Sequence, residues 1–175
     1  MKNALKLLTL TVFFGCAVQV KTYQNPKANF AKYSSWCWMQ GCEITYQGPE
    51  YYNDERAITE ISNAIAWNMY DKGYLQSDET SDLVLNFYVI MEQDSMEVNS
   101  AYSSNFEDEW LSSLYPEYEQ FLKGSLVIDV IDRRSSELVW TSNAIKYLSI
   151  NPEFDKESIW AGVSKAMKKL PVRVE

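Results

Sequence analysis

No histidine occurs among the 175 residues, so Ser-His-Asp, Cys-His and histidine-metal chemistry are excluded at the outset. Carboxylates and thiols remain. Carboxylate chemistry of the glycosidase kind needs two acids about 5 to 10 Å apart in a cleft. Glu107, Asp108 and Glu109 in NFEDEWL are the densest candidates. A charge run beside loop serines is more often a solvated face, so these acids and the adjoining Trp110 read as a contact surface. Asp129 interrupts the apolar series Val127, Ile131 on one strand face, and a four-residue turn would set it opposite Trp140. Pairing with a nearby Lys or Arg on the solvent face is the plainer role for it. No glycine-rich phosphate loop is present.

The thiols are Cys16, Cys37 and Cys42. The last two lie in WCWMQGC, a C-x-x-x-x-C spacing that differs from the C-x-x-C of redox pairs. Zinc would require two further ligands. In an oxidising compartment a structural disulfide between Cys37 and Cys42 is expected, with free thiols as the alternative. Its loop is short, so it should contribute less than the roughly 3 kcal/mol of a 15-residue loop. Neither a metal nor another cofactor is expected.

Cys16 sits differently. Lys2 and Lys6 precede a short apolar run, Leu7 to Phe14, too brief for the roughly 20 residues of a membrane span. A secretory signal at residues 1–15 fits better. Phe13-Phe14-Gly15-Cys16 resembles the bacterial lipobox, with Phe13 where leucine is usual. That resemblance implies lipidation at Cys16, palmitate among the acyl chains, and a single domain over residues 16–175. Ala17 and Val18 lack the aspartate that retains lipoproteins on an inner membrane, which implies the periplasmic face of an outer membrane. Loss of Lys2 and Lys6 moves the net charge from −8 to −10. So acidic a chain should repel nucleic acid and anionic head groups.

The elements follow from periodicity. VQVKTY alternates as a strand, and the turn-like Gln24-Asn25-Pro26 leads to a second strand within NFAKYSSWCWMQ. In ERAITEISNAIAWNMYDKG, Ile58, Ile61, Ile65, Met69 and the stem of Lys72 form one helical stripe, closed by Gly73. Trp67 and Tyr70 lie off it, either under a neighbouring loop or as a contact surface. LVLNFYVIM reads as a buried strand, and an irregular segment is expected from Glu92 to about Glu117, with a short amphipathic helix near Asn105 to Leu114. FLKGSLVIDVID and ELVWTSNAIKYL form a hairpin turning on Asp132 and the serines. Ile159, Val163, Ala166, Met167 and Leu170 mark a final helix before Pro171. The order ββα-β-loop-ββα predicts a two-layer α+β sandwich: a mainly antiparallel sheet of about five strands, with two helices on one face.

The opening Tyr23, Phe30, Tyr33, Trp36, Trp38 and the hairpin Gly124, Leu126 to Asp129, Asp132, Leu138 to Trp140 resemble the domain of unknown function 4136 family of bacterial lipoproteins. Ser135-Ser136 replaces that family's usual Thr-Gly, and the Cys37/Cys42 pair is an addition. The expected function is a non-enzymatic, lipid-anchored binding domain of the envelope with a protein partner there. The alternatives are a carboxylate-dependent hydrolase of envelope glycans and a carrier of an apolar ligand.

Overall fold

The computed structural model describes residues 18–39, 45–47, 50, 53–77, 81–98 and 117–173. Among these residues there are seven strands: β1 (Gln19–Gln24), β2 (Ser35–Trp38), β3 (Thr45–Gln47), β4 (Leu75–Gln76), β5 (Leu83–Val98), β6 (Glu117–Asp132) and β7 (Leu138–Ser149). Two helices among them, α1 (Glu55–Asp71) and α2 (Lys156–Met167), pack on one core with the sheet. The sheet order is β1-β7-β6-β5-β2-β4, with β3 pairing further along β5. The pairs β1/β7, β6/β7 and β5/β6 are antiparallel, while β2 and β3 join β5 in parallel. This is the expected α+β sandwich, widened by the short β3 and β4.

Local chemistry explains the helices. Asp54 caps α1 by accepting from Arg56 N, and Asp155 caps α2 by accepting from Ser158 N. Ile61, Ile65 and Met69 are buried as the spacing predicts. Gly73 takes φ +87°, the left-handed conformation that closes a helix. Lys72 buries more than its stem: its Nζ donates to Leu170 O at 2.9 Å, and burial lowers its pKa. The helices run parallel, since Glu60 meets Trp160 and Lys156 while Asn68 meets Ser164. Trp36 and Trp140 are among the largest fully buried side chains. Trp36 stands edge-on to Trp38, with ring centroids 5.0 Å apart.

The second strand, Ser35–Trp38, lies within the expected stretch, after a 3-10 turn over Phe30–Lys32 in which Asn29 accepts from Ala31 N. Two expectations need correction. The irregular segment does not begin at Glu92. Pairing of β5 with β6 continues to Val98↔Glu117, since a two-stranded ladder satisfies its backbone without an apolar face. The residues between, including the expected helix at Asn105 to Leu114, lie outside the described residues. Asp129 faces Thr141, not Trp140, because a bulge between Val130 and Ile131 places Val139 as an extra residue on β7.

Candidate functional site

At the end of the sheet where β1 finishes and the β6–β7 turn lies, three segments enclose a cleft of about 350 Å³. The β1–β2 loop supplies Lys27, Lys32 and Tyr33, the start of β5 supplies Asp82, and the turn supplies Asp132, Arg134 and Glu137. Loop and turn are tied directly, as Asn25 N donates to Val139 O and Arg133 N to Asp82 O.

Both aspartates are consumed by the scaffold. Asp132 Oδ1 accepts from Arg134 N and Ser135 N at 2.8 and 3.0 Å, and Oδ2 accepts from Tyr33 OH at 2.8 Å. The bond from Ser135 N, helped by Tyr33 and Arg134 N, outweighs burial and holds the Asp132 carboxyl below the usual aspartate range. For Asp82 burial pushes upward, yet donation from Ser34 and Ser35 prevails and its pKa is lowered. Its Oδ2 accepts from Ser34 N at 2.8 Å and Ser34 Oγ at 2.9 Å. Burial, reinforced by Asp132, raises Tyr33 to about 12, so it stays a phenol that donates. Glu137, Lys27, Lys32 and Arg134 have no ion pair among the described residues.

The other candidates do not converge here. Cys37 is buried on β2 with a free thiol; Ser81 Oγ lies 2.9 Å from its sulfur and is itself bonded by Arg133. Cys42, its expected disulfide partner, lies outside the described residues. So do Cys16, Glu107, Asp108, Glu109 and Trp110. Trp67 and Tyr70 are 56% and 64% exposed on α1, their rings tilted with centroids 5.9 Å apart. No loop among the described residues covers them.

Nothing in the local sequence pattern marks Lys27, Lys32, Asp82, Arg134 and Glu137 as one group. Tyr33 meets Asp132 across 99 positions and Ser34 meets Asp82 across 48. Periodicity within a window cannot register such pairs. The usable signal was Tyr33 and Asp132 standing in the two recurrent motifs.

A family model described as Domain of unknown function (DUF4136) matches residues 20–172. The chain belongs to this family. Its fold is similar to that of a DUF4136 protein from Bacteroides thetaiotaomicron, at 17% identity and a TM-score of 0.52, covering 87% of this chain and 95% of that one. A PDZ domain protein from Parabacteroides distasonis is similar at 15% identity and a TM-score of 0.58; 91% of this chain is covered but only 37% of the other. A PelC dodecamer from Paraburkholderia phytofirmans gives 10% identity and a TM-score of 0.52, over 90% and 100% of the two chains. No curated protein matches. In the turn Ser136, where the resemblance implies glycine, adopts φ +57°.

Proposed function

We propose that the chain is a non-enzymatic, lipid-anchored interaction domain of the bacterial envelope, held through Cys16 at the periplasmic face of an outer membrane. The lipobox-like FFGC junction supports the anchor, as does its nearness to the domain, three residues ahead of β1. No helix among the described residues is long and apolar enough to cross a membrane.

The observation that carries the non-enzymatic reading is the state of the cleft carboxylates. A glycosidase needs one carboxyl kept protonated and a second kept free to act as base or nucleophile. Asp82 and Asp132 are both lowered and both occupied by donors, so neither can protonate a leaving group. Glu137 is left alone. A carrier would need an apolar cavity of several hundred Å³. The cleft is instead lined mainly by polar and charged residues, while the core beside it is filled by side chains such as Trp36, Trp140 and Phe87. A static polar recess fits recognition of a partner's exposed polar segment.

Photo-crosslinking in cells tests this, with a photoreactive residue at Lys32 in the cleft and another at Tyr70 on α1. A discrete adduct from Lys32 that disappears in Cys16→Ala supports an anchored interaction domain. Incorporation of a palmitate analogue, absent in Cys16→Ala, checks the anchor separately. Envelope-glycan hydrolysis by the purified protein, abolished in Glu137→Gln, would overturn the non-enzymatic reading.

A further inference from the structure

The charge of this chain is divided by position. Residues 17–42 contain three lysines and no acid, and residues 158–174 contain four basic residues and no acid. Residues 43–157 hold 23 acids against 7 basic residues. The fold brings the two basic stretches to one flank. β1 is an edge strand, with β7 its one neighbour among the described residues. α2 lies over β7, where Ser142 Oγ donates to Ala166 O at 2.8 Å and Lys146 is bonded to Ser158. Through Trp160 and Ser164 α2 meets α1 on its other side. Ser158, Gly162 and Lys165, at spacings of four and three, therefore form the stripe of α2 turned away from α1, and Lys169 follows two residues past the helix end. Lys21, Lys27, Lys165 and Lys169 are all exposed, and none has an ion pair among the described residues.

The anchor and the β5–β6 ribbon then limit how the domain can sit. From Cys16 to Gln19 the chain spans about 10 Å at most. In the ladder, Gln19 aligns through Ile145 and Ser125 with Ile90, while β5 and β6 continue to the pair Val98↔Glu117. Those eight further residues extend roughly 27 Å in the direction from which the tether arrives. Twist of about 20–25° per strand reduces the overhang along β1 to about 15 Å, still beyond the tether. The ribbon carries Glu92, Asp94, Glu97, Glu117 and Glu119 with Lys123 as its one basic residue. An upright domain would drive this acidic ribbon into the head groups.

We infer that the domain lies on its β1 edge, with Lys21, Lys27, Lys165 and Lys169 docked on the anionic lipid head groups of the membrane that holds its anchor. The inference rests on lipidation at Cys16. In this attitude the acidic ribbon runs along the surface, lifted from β1 by two or three inter-strand spacings, about 10 to 14 Å. A Debye length near 8 to 10 Å at physiological salt puts the flank within the attraction of the surface and the ribbon largely outside its repulsion.

The test uses the full lipidated protein in vesicles of phosphatidylethanolamine and phosphatidylglycerol bearing a head-group nitroxide. A genetically encoded fluorophore is placed at Gln19, Gly162 or Glu119. Gly162 suits a reporter, since a Cβ there meets nothing within 4 Å. Strong quenching at Gln19 and Gly162 with little at Glu119 is expected. Lys165→Glu with Lys169→Glu should lower the docked-to-undocked ratio about five-fold for each lysine lost, with Gln19 still quenched. Lys165→Gln with Lys169→Gln should act in the same sense, and phosphatidylcholine vesicles or high salt should reproduce the loss. No quenching at Gln19 would refute the anchor itself. Quenching at Gln19 with Glu119 as close as Gly162, or Gly162 indifferent to lipid charge, would overturn the docked edge while leaving the anchor intact.

Discussion

One strand, β6, runs between two regions built on opposite terms. At its end, Asp132 receives three donors and the turn is locked to the β1–β2 loop and to the start of β5. At its beginning, residues 118–120 pair, among the described residues, only with β5, and they and residues 92–96 of β5 are exposed. Regular secondary structure is present in both, so hydrogen bonding within a ladder is not what separates them. Among the described residues, only the turn end is cross-linked by side chains from three distant segments. Local opening should therefore cost little in the ribbon and approach the global unfolding free energy at the turn.

The sharpest way to break that contrast is Asp132→Ala. It leaves Arg134 N, Ser135 N and Tyr33 OH without their acceptor, and should cost about 2 to 4 kcal/mol. Glu119→Ala in the ribbon should change stability by no more than about 0.5 kcal/mol. Urea unfolding of both variants checks the pair. Equal losses would mean that the turn is no better held than the ribbon.

A smaller effect comes from pH. Asp82 and Asp132 have folded pKa values below the ordinary 3.8. Between those values and 3.8 the unfolded chain binds more protons than the folded one, so the carboxylates contribute stability above pH 4 that is lost on acidification. Each adds a slope of at most about 1.4 kcal/mol per pH unit in that window. Asp132→Asn should flatten the acid limb of the stability curve, as measured by thermal unfolding from pH 2 to 6.

The same contrast explains what was legible in the sequence. Helix stripes such as Ile61, Ile65, Met69 and the hairpin strands appear in windows of a few residues, and both formed where expected. The cleft does not, because Lys27, Asp82 and Arg134 meet only through long-range closure. The extension of β5 to Val98 was missed because its residues lack an apolar face, the feature by which strands are read. Whole-chain charge suggested repulsion from anionic head groups, but net charge has no direction. Only the packing of α2 over β7, the neighbour of β1, shows which residues share a flank.

The smallest effect concerns the turn itself. Ser136 stands at φ +57°, in the left-handed region that glycine favours. A side chain in the left-handed region costs roughly 1 to 2 kcal/mol, from crowding between Cβ and the backbone. Glycine removes that strain but has more freedom to lose on folding, about 0.5 to 1 kcal/mol. Ser136 is exposed, so its replacement leaves no cavity. Ser136 N donates to Asp132 O at 2.8 Å, a backbone bond that glycine keeps. Ser136→Gly should therefore stabilise the domain by about 0.5 to 1 kcal/mol, read as a higher urea midpoint at unchanged m. Since strain relief acts through the folded turn, the gain should vanish in the Asp132→Ala background, where that turn is no longer held. A gain that persists undiminished there would show that the turn keeps its conformation without Asp132, and the contrast with the ribbon would then rest on the loop contacts alone.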